Sequence, residues 1–179
     1  MQKLSRLILR IFGWSIKGNY PGYDKFMAII APHTSNLDFV IGRLYFYSVH
    51  KKPYFLIKKE VFVFPLKRIL LKMGGVPVDR KRSSNVVNKM VNLFNTNSHF
   101  VLVITPEGTR SKVKNWKKGF YYIAREANVP VVTSYIDYKK KEIGISDPYF
   151  LGDDYQSELK KIKDFVRNVT PKHPEKFSV

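Results

Sequence analysis

Apolar and polar positions along this chain fall into alternating blocks of two periods. Residues 26–31 form an uninterrupted apolar run, short enough to be a buried strand. Residues 37–49 then read as a helix, and Ser35 or Asn36 stands where its cap is needed. A short strand at 54–57 leads to a helix at 65–73, which Gly74 and Gly75 stop. A strand at 76–79, a helix at 84–94 and a buried strand at 99–105 continue the pattern. That helix is drawn by Val86, Val87, Met90, Val91 and Phe94. The spacing then predicts a helix over 116–128, strands over 129–136 and 142–145, and a last amphipathic helix over 157–169. Strands alternating with helices predict one α/β domain over residues 1–179, with a largely parallel or mixed central sheet flanked by helices. In such sheets ligands gather beyond the carboxyl ends of strands. Two polar segments, HTSNLD at 33–38 and PEGTRS at 106–111, stand directly after strands.

The first 17 residues carry a different pattern. Leu4, Leu7, Ile8, Ile11 and Phe12 recur on one helical face, while Lys3, Arg6, Arg10 and Lys17 form a basic row and Trp14 closes the segment. Two readings stand: an amphipathic helix lying in a membrane interface, or a helix whose apolar stripe packs on the domain core. The basic row favours the membrane. Arg10 interrupts the apolar stretch and no small-residue cleavage site follows, so the segment does not read as a signal peptide. No apolar run approaches the ~20 residues that a spanning helix needs.

Charge narrows the partners. Among 179 residues, 32 are Lys or Arg and 14 are Asp or Glu, a formal net charge of +18. That excess predicts an anionic partner: nucleic acid, anionic lipid, a phosphorylated substrate or an acidic carrier protein. The chain has no cysteine, which excludes disulfides, a thiolate metal site and a cysteine nucleophile.

His33 and Asp38 are the first candidates for chemistry. In an unbroken helix a separation of five residues turns two side chains ~140° apart. They meet only if the chain bends before the helix begins, and Thr34, Ser35 and Asn36 suit such a bend. A carboxylate on one imidazole nitrogen fixes the tautomer, and the other nitrogen can then take a proton from an alcohol. A loop histidine beside an Asp favoured by the helix dipole is the plainer reading. In PEGTRS, Gly108 allows an unusual backbone angle and Arg110 offers a rigid fork suited to phosphate. Glu107 can hold that fork or hydrogen-bond a substrate hydroxyl, and turn amides near Gly108 are candidate anion donors. Lys112, Lys114, Lys117 and Lys118 follow, either as a solvated face or as a phosphate field. Arg80, Lys81 and Arg82 emerge after another short strand, equally readable as a phosphate site or a basic loop. The segment from Val129 to Thr133 reads as core.

At these positions the chain resembles the glycerolipid acyltransferases, specifically the 1-acylglycerol-3-phosphate acyltransferase family. His33 to Asp38 is similar to the family's His-x4-Asp block, Arg80 to the arginine of its second block, residues 106–111 to the third and residues 129–132 to the fourth, in the same order. Pro32, Thr105 and Thr133 depart from the usual residues beside these blocks, and there is little room for an N-terminal pair of membrane helices. The resemblance implies an acyl-CoA or acyl-carrier-protein donor and a lysolipid acceptor, with His33 as general base and Asp38 orienting it. It further implies a structural role for Ser35 and an acceptor site at Arg80, Glu107, Gly108, Thr109 and Arg110. No cofactor or metal is expected. The expected setting is cytoplasmic, peripheral on the inner face of the cytoplasmic membrane, against an anionic lipid surface. Competing readings are transfer to another lysolipid, hydrolysis of the thioester, or a basic non-enzymatic protein that binds lipid or nucleic acid. Specific nucleic-acid binding is not expected, because the aromatics sit in apolar runs rather than in a basic-aromatic motif.

Overall fold

The computed structural model describes residues 1–79 and 83–177. Its strands are β1 (Ser15–Lys17), β2 (Lys25–Ile30), β3 (Tyr54–Lys58), β4 (Gly75–Val78), β5 (Phe100–Ile104), β6 (Val131–Asp137) and β7 (Glu142–Ile145). The α-helices are α1 (Gln2–Ile11), α2 (Leu37–Ser48), α3 (Leu66–Lys72), α4 (Ser83–Thr96), α5 (Gly119–Glu126) and α6 (Tyr155–Val166), with 3₁₀ turns at Lys59–Val61 and Pro174–Lys176. All seven strands join one mixed sheet in the order β1-β7-β6-β2-β5-β3-β4. β2 lies at its centre, parallel to both neighbours, with Ala28 opposite Val103 of β5 and Val132 of β6. β7 is antiparallel to β6, and β1 closes that edge parallel to β7.

The apolar run of β2 is continuous because both faces of the strand are covered. Phe26 and Ala28 join a cluster with Leu9, Ile41, Tyr45 and Phe46. Met27 and Ile29, on the opposite face, join Met90, Phe94, Phe120, Ile123 and Ile162. Each such side chain stabilises the fold by ~1.5–3 kcal/mol through burial, so a charge at Met27 or Ile29 would leave one layer without its floor.

The chain steps from β2 to β3 to β4 towards one edge and then back through β5 to β6. Right-handed crossovers therefore carry α2 and α3 over one face and α4 and α5 over the other. Arg43 of α2 agrees, donating through Nη1 to the carbonyl of Met73 at the end of α3, 2.7 Å away. The neighbours β2 and β5 thus send their helices to opposite faces, which opens a crevice at their carboxyl ends.

The N-terminal helix is shorter than its periodicity suggests. α1 stops at Ile11, where Gly13 (φ +76°) donates to Arg10 O at 2.9 Å and Trp14 to Leu9 O at 2.8 Å. This is a Schellman stop, which needs a residue that tolerates positive φ. Residues 15–17 then pair with β7. The apolar stripe does not enter the core: Leu9 and Ser5 are buried against α2, whereas Leu4 is 58% and Ile11 69% exposed. α5 begins at Gly119 rather than 116, because the preceding segment is tied back to the PEGTRS turn by Lys117 N–H donating to Pro106 O at 2.8 Å. α6 begins early because the Asp154 carboxylate accepts from the amides of Gln156 and Ser157.

Candidate active site

Between the end of β2 and the start of α2 the chain takes no helical turn before Asn36, which is the bend that a His33–Asp38 contact requires. His33 Nδ1 lies 3.0 Å from Asp38 Oδ2. The same oxygen accepts the amides of Thr34 at 2.9 Å and Ser35 at 3.0 Å, and Oδ1 accepts the Tyr138 hydroxyl at 2.7 Å. Ser35 uses its Oγ to accept the Leu37 amide at 3.1 Å, a capping contact at the entry to α2. Asp38 is only 5% exposed. Burial pushes its carboxyl up, but the bonds from His33, Tyr138 and the Ser35 amide more than offset this and hold it below the usual value. It is therefore an anion near neutral pH and can only accept. Nδ1 must then carry the ring proton, which leaves the lone pair on Nε2.

Tyr138 was not singled out by the sequence. It follows the last residue of β6, the strand beside β2, and reaches Asp38 across 100 positions of chain. Burial first, and then its bond to Asp38, push its phenol well above the ordinary value. Its ring meets Trp14 edge-on at 5.4 Å, and Lys172 Nζ stands 5.6 Å from the ring centre. The C-terminal segment straps the site from outside. Tyr138 N–H donates to Thr170 O at 2.8 Å, and His173 N–H donates to Thr34 Oγ1 at 3.2 Å.

The PEGTRS turn leaves β5 beside this bend. Glu107 Oε2 accepts the backbone N–H of His33 at 2.9 Å. The two polar segments therefore meet, but not through a Glu107–Arg110 fork. Glu107 turns inward and is 6% exposed, while Arg110 is exposed. Burial, opposed by the His33 amide and reinforced by the Asp38 charge, raises the Glu107 carboxyl to about 8. Gly108 takes φ +66°, and its amide donates to Thr105 O at 3.0 Å. The Ser111 amide donates to Thr109 Oγ1 at 3.3 Å. These two amides, among the candidate anion donors of the turn, are engaged within it. Arg110 remains near the crevice by chain length alone, within ~11 Å of Glu107 from Cα to Cα. Arg80, with Lys81 and Arg82, lies outside the described residues. Among the described residues no three His, Asp or Glu side chains gather as metal ligands.

The family model described as Acyltransferase matches residues 21–137, a span that runs from just before β2 to the end of β6 and holds His33, Asp38 and Glu107, while Tyr138 lies one residue beyond it. The chain belongs to the acyltransferase family. Its fold is similar to that of a solved structure, the 1-acyl-sn-glycerophosphate (LPA) acyltransferase PlsC from Thermotoga maritima. The two superpose with a TM-score of 0.65 at 18% identity, over 93% of this chain and 75% of that one. No curated protein matches the sequence. Among the described residues of this acyltransferase no helix is long and apolar enough to cross a membrane.

Proposed function

We propose that this acyltransferase moves a fatty acyl group from an acyl-CoA or acyl-carrier-protein thioester to the hydroxyl of a lysolipid, with 1-acylglycerol-3-phosphate as acceptor and phosphatidate as product. The observation that carries the proposal is the His33–Asp38 pair, held by the PEGTRS turn through Glu107 at the crevice between β2 and β5. The likeness to a protein described as acting on 1-acyl-sn-glycerophosphate supports the choice of acceptor.

In this reading the acceptor hydroxyl gives its proton to His33 Nε2 as its oxygen attacks the thioester carbonyl. The C–S bond then breaks, and the leaving thiolate takes the proton back from His33. Asp38 stabilises the imidazolium between the two steps, and no acyl-enzyme forms. General-base help of this kind contributes ~10²–10⁴-fold. Arg110, with Arg80, holds the acceptor phosphate, and Gly108 and Thr109 shape the turn that presents Arg110. Glu107 fixes His33 through Oε2 and meets the acceptor through Oε1. The chain works at the inner face of the cytoplasmic membrane as a peripheral protein. α1 lies on anionic lipid, and its basic residues contribute ~1 kcal/mol each near the surface.

The test is mass spectrometry of products from thioester donors incubated with a panel of lysolipids, including 1-acylglycerol-3-phosphate. Transfer yields a diacyl product that depends on the acceptor. Free fatty acid released equally without acceptor would make the protein a hydrolase. His33→Ala should abolish transfer with the circular dichroism spectrum unchanged, and retained turnover would remove His33 from the reaction.

A further inference from the structure

The carboxyl edge of the sheet, on the face covered by α1, α2 and α3, ends in three apolar tips. Their placement follows from strand direction. β2 and β3 are both parallel to β5, so the start of α2 and the loop after β3 lie at the edge where His33 lies. β1 runs the opposite way, being parallel to β7, which is antiparallel to β6. α1 feeds β1, so the last turn of α1 lies at that edge as well. Arg6 of α1 agrees, donating from Nε to the carbonyl of Ser48 at the far end of α2, 3.0 Å away. Each tip exposes large apolar side chains: Ile11 and Phe12 from α1, Leu37 and Val40 from α2, and Val63 and Phe64 from the loop after β3. Phe64 is the extreme case at 83% exposure.

The charges around the third tip say what covers it. Lys58, Lys59, Lys67, Arg68 and Lys72 flank it against the single acid Glu60. Lys59 is occupied by Asp79 at 2.7 Å, but Lys58, Lys67, Arg68 and Lys72 stand exposed. Protein interfaces are depleted in lysine around their apolar centres. An apolar tip ringed by long cationic side chains is the composition of a segment that enters the interface of an anionic bilayer.

We propose that the loop of residues 61–66, led by Phe64, inserts into the headgroup–acyl boundary of an anionic membrane, beside the ends of α1 and α2. The crevice at His33 then opens directly onto lipid. The proposal deepens the acyl-transfer reading, which gives the docking its purpose, but insertion is measured without turnover, so either can fail alone.

The absence of cysteine makes the experiment clean. Phe64→Cys carries a single environment-sensitive NBD label, and Asn88→Cys on α4, over the opposite face, carries the control. Vesicles of phosphatidylcholine with phosphatidylglycerol should shift the emission of the label at 64 to the blue. Lipids bearing a nitroxide high on the acyl chain should quench it, while the label at 88 stays unchanged. A label at 64 that stays aqueous while the protein sediments with the vesicles would overturn the proposal. So would a blue shift without vesicles, which would mark a second copy of the chain on this surface. Phe64→Asp, unlabelled, should lower the partition coefficient onto the anionic vesicles about ten-fold or more; an unaltered coefficient would also overturn it.

Discussion

Glu107 offers a direct measurement of how the site is held together. Its carboxyl accepts from the His33 amide while raised to about 8 by burial, so near neutral pH it is mostly protonated. Glu107→Gln keeps an oxygen for the His33 amide and removes the ionisation. The sign follows from linkage. A carboxyl whose folded pKa exceeds its ordinary value of 4.5 binds more protons folded than unfolded. Its contribution is fully present below 4.5 and is lost as pH rises through about 8. At ~1.36 kcal/mol per tenfold change in proton affinity, a carboxyl moved from 4.5 to about 8 sets a ceiling of about 5 kcal/mol on that loss. Relaxation of the crevice brings the measured figure below the ceiling. Urea unfolding of both proteins from about pH 5 to about pH 9 reads the effect, a range that keeps clear of the loss expected at lower pH, where Asp38 takes up its proton. The stability of the Gln variant relative to the parent should rise from about pH 5 to about pH 8 and level off above that. The parent should also show an alkaline fall in kcat/KM near 8 that the variant lacks, since ionised Glu107 places a second negative charge beside Asp38. Parallel stability curves for the two proteins would refute the claim that Glu107 is buried as a neutral acid.

Tyr138→Phe removes one of the four donors to Asp38 and, at ~1.5–3 kcal/mol for a hydrogen bond to a charged group, should lower kcat by about ten-fold or more. It should also move the acid limb of the pH profile upwards, because the Asp38 carboxyl then rises; a change confined to the acceptor KM would show that Tyr138 does not act through Asp38. Arg110→Ala should raise the acceptor KM with kcat little altered, and an unchanged KM would reject the phosphate contact. Activity on anionic vesicles should fall between about 0.05 M and about 0.5 M salt as exposed charges are screened, and salt-insensitive binding would reject an electrostatic anchor.

The sheet was readable where burial leaves a one-sided mark on composition. Residues 26–31 are wholly apolar because β2 is covered on both faces, and the run ends where the polar turn begins. The bend between His33 and Asp38 was readable only on the condition that the two side chains meet, since helical geometry forbids the pair otherwise. β1 was not readable: its three residues are all exposed and too few to show a period, so only pairing with β7 makes them a strand. Periodicity in α1 marked the apolar stripe but not what lies against it, and the stripe faces outwards. Two contacts of the site were beyond reach for a different reason. Glu107 had an obvious local partner in Arg110, three residues on, yet a backbone amide 74 positions away holds it. Tyr138 enters because β6 is the neighbour of β2, and strand order is set by crossovers that no local pattern records.

The distribution of charge gives the crevice a direction. Its floor holds one anion, Asp38, saturated by four donors, beside a Glu107 that burial keeps neutral near pH 7. Exposed Arg110 and Lys112 follow Glu107 within five residues of chain. An amphiphile with a phosphate, a hydroxyl and a chain meets three different surroundings there. If the acceptor is a lysolipid phosphate, its phosphate is favoured by these cations and repelled by the floor, its hydroxyl is the polar part that can approach His33 without carrying charge towards Asp38, and its chain is directed towards the exposed apolar side chains of Ile11, Leu37 and Phe64. On the acyl-transfer reading, this gradient orients the acceptor before any single contact is made. It depends on Glu107 staying uncharged: a second carboxylate on the floor would set two negative charges against the approach of a phosphate-bearing acceptor.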